Sequence, residues 1–160
     1  MSDSVTQEAT RVVMTQIVLP EHTNNHGTIF GGQLVAWMDI AGSVCAMRFA
    51  RGPVVTLSID ELHFVLPVRK GMIVEIKGQV NQAWNSSMEI GVRVEAEVPD
   101  TGRRVHCCSG FLTFVALDSE GVPTRIGKTL EIELGQEDRA EAAQKRRAHR
   151  LASRKPGRGN

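Results

Sequence analysis

One acidic side chain stands out by its surroundings. Asp39 is the only charged residue between Leu34 and Met47, in a run that includes Leu34, Val35, Trp37, Met38, Ile40, Ala41, Val44, Cys45 and Met47. An ionised carboxylate is strongly disfavoured in an apolar medium unless it is paired or hydrogen bonded. Asp39 therefore either meets an arginine, a serine or a neighbouring loop, or it serves as a working acid or base. Just before it comes Gly31-Gly32, at the start of a helix-forming stretch. The first N–H groups of a helix lack intrahelical partners, and with the helix dipole they can hold an oxyanion. A tight turn into a helix would use the same glycines. Earlier still lies the polar run Thr23-Asn24-Asn25-His26-Gly27. Its asparagines suit a turn, and His26 is either a solvated loop histidine or a base.

Other chemistries lack their residues. There is no G-x-S-x-G nucleophile elbow, no G-x-x-x-x-G-K-[ST] phosphate loop and no Cys/His pair at metal-ligand spacing, so no metal is expected.

The elements that must position these residues follow from periodicity. Residues 33–50 carry apolar side chains round nearly the whole circumference of a helix, which predicts a buried helix. Gly42 inside it is costly unless something packs closely there. Strands are predicted at 12–19, 54–66, 72–80, 88–98 and 105–117. The clearest is 88–98, where Met88, Ile90, Val92, Val94, Ala96 and Val98 alternate with Glu89, Gly91, Arg93, Glu95 and Glu97. Stretch 105–117 is apolar on both faces and reads as a central strand. The order predicts an α+β layer structure, with one antiparallel sheet wrapped around the long helix. One sheet covers one side of that helix, so a second copy of the chain is expected on the other. Residues 1–10 read as a flexible terminus, 11–127 as a single domain, and 128–160 as a charged C-terminal helix running into a basic tail.

The chain has 160 residues, enough for one domain with a real core. Tyrosine is absent and aromatics are 4%, so the core must be aliphatic and base-stacking platforms are scarce. The net charge of +1 divides unevenly: residues 139–160 hold eight Lys or Arg and one acid, Glu141, on an otherwise slightly acidic body. No nucleic-acid-reading motif accompanies the tail. Cys45, Cys107 and Cys108 form no C-x-x-C, and neighbours on a strand point to opposite faces, so free thiols are expected. No signal peptide or membrane-spanning stretch is visible, which makes the cytoplasm the expected location.

Taken in order, Thr23-Asn24-Asn25-His26-Gly27-Thr28-Ile29-Phe30-Gly31-Gly32, then Trp37-Met38-Asp39 and Gly42, resemble the hotdog-fold acyl-CoA thioesterases of the bacterial short-chain and brain acyl-CoA hydrolase type. Val54-Val55-Thr56-Leu57-Ser58-Ile59-Asp60, Phe64, Asn85-Ser86-Ser87-Met88-Glu89-Ile90 and Phe111-Leu112-Thr113-Phe114-Val115-Ala116 fit later strands, so the resemblance covers residues 12–126.

That resemblance implies a hotdog fold, paired domains often assembled as trimers of dimers (a homohexamer), and an active site at the dimer interface. It implies acyl-CoA hydrolysis without a cofactor, coenzyme A being part of the substrate. Asn24 matches the family's catalytic asparagine and Asp39 its catalytic acid, from opposite subunits. Asp39 would act as general base or attack directly to give an anhydride. Gly31, Gly32 and Gln33 would supply oxyanion amides. The turn Asn85-Ser86-Ser87 would meet pantetheine or phosphates, with Arg51, Arg93 or the tail near the 3′-phosphate. A non-catalytic acyl-CoA sensor is the alternative. A dehydratase would need His63 or His106 beside an acid, outside any motif recognised here.

Overall fold

The computed structural model describes residues 3–60 and 62–154. In chain order the elements are β1 (Ser4–Thr6), α1 (Gln7–Thr10), β2 (Val12–Ile17), α2 (Gly31–Ala50), β3 (Val54–Ile59), β4 (Ile73–Ala83), β5 (Ser87–Glu97), β6 (Arg104–Ala116), β7 (Thr129–Glu131) and α3 (Glu137–Ser153). Five strands form one antiparallel sheet in the order β2-β4-β5-β6-β3. The sheet curls round α2, which is the hotdog arrangement.

The predicted alternation sets the inner face. Met88, Ile90, Val92, Val94 and Ala96 of β5 are all at most 2% exposed. They meet the helix face made by Leu34, Trp37, Met38, Ala41, Cys45 and Phe49. Two glycines set how closely the layers approach. A Cβ on Gly42 would stand 3.0 Å from the Phe114 ring, and one on Gly78 would stand 2.9 Å from Cys45 Sγ. The helical cost of Gly42 is thus offset by contact with β6.

The other side of α2 is open in the single chain. Ile40 is 54% and Met47 46% exposed, and edge strand β3 presents Val55, Leu57 and Ile59 to solvent. So much apolar surface at one edge is what an interface between copies would cover.

Several boundaries differ from expectation. Strand β3 stops at Ile59 rather than at residue 66. At Leu57 the register with β6 slips: Thr56 pairs with Phe114, but Ser58 pairs with Thr113. This bulge turns Thr56 toward α2 and Ser58 toward the outer face.

Residues 4–10, expected to be flexible, are built in. Strand β2 pairs with β4 only as far as Gly78. Beyond it, Val80 donates to Thr10 Oγ1 (3.1 Å) and accepts from Gln7 Nε2 (3.0 Å), with Gln7 and Thr10 both 0% exposed. Two polar side chains thus satisfy backbone groups that β2 leaves unpaired, which the composition of residues 1–10 does not reveal.

The C-terminal segment also departs from the charged helix expected over 128–160. Thr129–Glu131 is a strand parallel to β1, and the helix runs Glu137–Ser153. Ala140 and Ala143 are buried against the sheet's outer face. Arg146 forms a two-point ion pair with Glu89, which is 0% exposed. Glu89 sits where the alternation of β5 predicts a half-buried polar face, and α3 closes over it. The expected fraying at residues 156–160 lies outside the described residues.

Candidate active site

The loop before α2 is shaped by Asn24. Its Oδ1 accepts from the backbone N–H of His26 (2.9 Å) and Thr28 (3.3 Å), and its Nδ2 donates to Thr28 Oγ1 (2.9 Å). Two backbone donors on Oδ1 fix which end of the amide is oxygen. The amide nitrogen carries two hydrogens, and one remains for a ligand. The loop is tied down by Ile29 N to Val68 O (2.7 Å) and Lys70 N to Gly27 O (3.0 Å). His22, not His26, packs on the helix, with its ring 5.0 Å from Trp37 and edge-on to it. His26 is exposed.

Helix α2 begins directly after Phe30, which offers no side-chain cap. The Gly31 and Gly32 N–H groups have no acceptor among the described residues. The Gln33 N–H, in contrast, donates to Phe30 O (3.0 Å), so the expected oxyanion donors reduce to the two glycines. The Phe64 ring lies 3.5 Å from where a Gly31 Cβ would be, and forms an apolar wall at this helix end.

Asp39 is half-buried rather than fully buried. Its Oδ1 accepts a 2.7 Å hydrogen bond from Thr56 Oγ1 on β3. Its other oxygen has no partner among the described residues. Among the described residues no arginine neutralises it, which answers the question posed by the sequence: the acid is held by one hydroxyl and otherwise left available. Thr56 is a candidate site residue that sequence reasoning missed as such. The only hint was its place in the strand after the helix.

The remaining site residues scatter. Ser86 and Ser87 line a cleft of about 590 Å³ on the outer face, together with Arg147 and Arg150 of α3 and Arg154 just after it. Asn85 beside them is exposed and contributes its carbonyl to Ile126 N (2.8 Å). Arg93 pairs with Glu95 (3.2 Å) in a separate outer-face cleft that Lys77 also lines. Arg51 ends α2 in a left-handed conformation (φ 56°), about 18 Å along the helix axis from Asp39. The structure therefore groups the two serines with the C-terminal helix and separates both arginines from them.

The three thiols are free and buried. Burial pushes Cys45 up to about 12, and also raises Cys107 and Cys108, so none is a ready nucleophile. Among the described residues no cluster of three or more His, Cys, Asp or Glu could hold a metal ion, and no helix is long and apolar enough to cross a membrane.

Residues 26–103 match the model of the Thioesterase superfamily. The chain is 40% identical over 120 residues to the uncharacterised acyl-CoA thioester hydrolase YkhA of Bacillus subtilis, covering 75% of this chain and 70% of that one. Acyl-coenzyme A thioesterase 11 of mouse is 39% identical over 127 residues, but those cover 78% of this chain and about a fifth (21%) of the mouse protein. A hexameric acyl-CoA thioesterase crystallised without ligand superposes with a TM-score of 0.87 at 35% identity, over 94% of this chain and 99% of that one. The acyl-CoA hydrolase of Staphylococcus aureus, solved with butyryl coenzyme A, coenzyme A and coenzyme A disulfide, gives 0.83 at 30% identity over 94% of each chain. That enzyme has also been solved as variants in which an asparagine, an aspartate or a threonine is replaced by alanine. This chain belongs to the thioesterase superfamily, as a hotdog-fold domain of the acyl-CoA hydrolase type.

Proposed function

We propose that the chain hydrolyses acyl-CoA thioesters, with Asp39 as general base and Asn24 and the α2 N-terminus polarising the carbonyl. The observation that carries this reading is the state of Asp39: half-buried, oriented by Thr56, and with one carboxylate oxygen free. A purely structural acid in this position would be expected to have both oxygens engaged.

The helix geometry bears on how many chains one site needs. At 1.5 Å per residue, Asp39 lies roughly 10 Å along the axis from the Gly32 amide. A base, a water and a carbonyl oxygen held by an amide span less than that, each link being about 3 Å. The amides serving one Asp39 therefore come from a second copy of α2, and the exposed apolar edge at Ile40, Met47 and β3 is where that copy would dock. Asn24 belongs with the amides on the second chain.

In the reaction, Asp39 removes a proton from water as the water oxygen bonds to the carbonyl carbon. Negative charge moves to the carbonyl oxygen, facing the Gly31 and Gly32 N–H groups and the spare Asn24 N–H. The intermediate then expels the coenzyme A sulfur as thiolate, which an ordinary thiol pKa of about 8.5 permits. Asp39 gives up its proton afterwards, and no cofactor takes part.

In the Staphylococcus aureus enzyme the replaced aspartate follows the replaced asparagine by 15 positions, and the replaced threonine follows the aspartate by 17. Asp39 follows Asn24, and Thr56 follows Asp39, at the same spacings. The hexameric neighbours support a hexamer, which would be built as a trimer of such dimers, and the similarity to cytosolic acyl coenzyme A thioester hydrolases of rat and mouse supports action in the cytoplasm.

The test is release of free thiol from acyl-CoA substrates of graded chain length by the full chain, with Asp39→Asn and Asn24→Ala beside it. Turnover in wild type and its loss in both variants is the expected result. Undiminished turnover in Asp39→Asn would discard the role given to that residue, and tight acyl-CoA binding without thiol release would point to a sensor.

A further inference from the structure

The loop between β3 and β4 carries apolar side chains that the core does not use. Residues 62–68 are Leu62, Phe64, Val65, Leu66, Pro67 and Val68, with His63 as the one polar side chain among them. Val68 is buried, but Phe64 is 50%, Val65 61% and Leu66 44% exposed. A contiguous apolar patch of this kind marks a contact site. Backbone bonds hold the segment in place. Asp60 N donates to Phe111 O (2.9 Å) and Val65 N donates to Cys107 O (2.8 Å). The loop runs from 60 to 65 while β6 runs from 111 to 107, so the loop has one residue more between the two ties and arches off the strand.

The arch is seated at two points on α2. Gly110 of β6 lies under it, and a Cβ there would collide with Leu62 Cδ2 and stand 3.2 Å from Met38 Cε. The missing side chain gives Leu62 a notch beside Met38, the residue before Asp39. Two residues on, the Phe64 ring rests against the first turn of α2, its Cζ 3.5 Å from where a Gly31 Cβ would be. The ring thus stands beside the Gly31 and Gly32 amides, which are the groups proposed to face the thioester oxygen. Two arms leave that carbonyl: the alkyl chain of the acyl group, and the sulfur with its pantetheine. Pantetheine carries amide groups that need hydrogen-bond partners when they leave water, and the side chains of Phe64, Val65 and Leu66 offer none. An alkyl chain needs only apolar area and gains with every methylene it buries.

We propose that Phe64, with Val65 and Leu66 behind it, is the wall on which the acyl chain lies, and that it sets the preference for chain length. The inference rests on the thioesterase reading above and gives it a substrate class: acyl groups with an extended alkyl chain, which reach past the carbonyl onto the ring, over acetyl, which ends beside it. Leu62 in the Gly110 notch is a positioning residue that holds the arch at this height over α2.

The experiment measures thiol release by the full chain on straight-chain acyl-CoA substrates from acetyl to dodecanoyl, for wild type, Phe64→Ala and Phe64→Leu. In wild type kcat/KM should rise with chain length. In Phe64→Ala the ratio of kcat/KM for dodecanoyl-CoA to that for acetyl-CoA should fall by about tenfold, and Phe64→Leu should recover part of it. The fall should lie in KM rather than kcat, because the wall touches the chain equally before and during reaction. Inhibition by free coenzyme A, which has no acyl chain, should keep its strength, and melting temperature and oligomer mass should stay at the wild-type values. An unchanged chain-length profile overturns the wall. So does an equal fall at every length with weaker inhibition by coenzyme A, which would give the ring to the pantetheine arm, or a change of oligomer mass, which would give it to a contact between copies. If wild type releases no thiol from any substrate, the same series is read as binding by calorimetry. Affinity that rises with chain length and loses that rise in Phe64→Ala then keeps the wall and discards only the hydrolysis, and a rise that survives in Phe64→Ala overturns both.

Discussion

Two carboxylates, one on the sheet's outer face and one on the helix that packs against its inner face, are treated in opposite ways. Glu89 on the outer face is fully buried, with Arg146 bound at both oxygens, Arg150 at 3.6 Å and the Asn81 amide alongside. Asp39 on the inner side is half-exposed, has no cation, and takes a single hydrogen bond from Thr56. The first arrangement saturates the carboxylate and locks α3 to the sheet. The second orients one oxygen and leaves the other without a partner among the described residues. What separates the structural acid from the one proposed to work is how many of its lone pairs the fold has already used, rather than how deeply it is buried.

The contrast can be broken from either side. Asp39→Asn keeps shape and the Thr56 contact but removes the base. Thiol release should fall by about 10²–10⁴-fold, with the melting temperature within a degree or two of wild type. Arg146→Ala should do the reverse. It leaves Glu89 buried with only the Asn81 amide and the longer Arg150 contact, and destabilises by about 3–5 kcal/mol in urea titration, while turnover per folded molecule holds. A double variant, Glu89→Gln with Arg146→Met, should recover much of that loss, because no unpaired charge remains. Should Asp39→Asn melt the protein, or Arg146→Ala abolish turnover while leaving it stable, the division of labour drawn above is wrong.

Smaller effects sharpen it. Thr56→Val removes the hydroxyl that aims Asp39, and kcat should drop by about tenfold, a single neutral-to-charged hydrogen bond being worth about 1.5 kcal/mol. Thr113→Val, on the outer face, removes a hydroxyl that has no partner among the described residues, so the unliganded protein should be unchanged or slightly more stable, by under about 1 kcal/mol. Cys45 gives a pH signature of the inner layer. Its thiol titrates near 9.0 when exposed and is pushed up to about 12 in the fold. The folded state then holds a proton that the unfolded state gives up, so stability is full below pH 9 and declines as pH rises toward 12. Cys45→Ala should flatten the fall of melting temperature measured between pH 9 and 10.5, with Cys107 and Cys108 leaving a residual slope of the same sign.

The inner layer was readable from the amino-acid order because its signals are local. Alternation at 88–98 marks the face of β5, and the apolar character of 33–50 marks the long helix that packs on it. The outer layer was not, because its partners are remote. Glu89 has the parity of a solvated residue, and only α3, 57 positions later, makes it buried. The Thr56–Asp39 contact depends on strand parity, and the bulge at Leu57 changes that parity within two residues. Gln7 and Thr10 look like any polar terminus until the bare edge of β4 beyond Gly78 is seen. The asparagine loop and the glycine pair were found by type and order, but which amides of the helix start are unoccupied, Gly31 and Gly32 and not Gln33, required coordinates.

The pairing of β1 with β7 joins Ser4 to Thr129 and Thr6 to Glu131. Contacts so far apart close late, since the loop entropy they must overcome grows with the intervening length. During synthesis the first strand emerges long before its partner exists. Until residues 129–131 follow, Val80 cannot be permanently capped by Gln7, whose other end is held by the Glu133 N–H (2.9 Å). The segment that begins the chain is thus a latch thrown last, and a nascent chain stopped short of about residue 133 should expose the edge of β4 to any unpaired strand it meets.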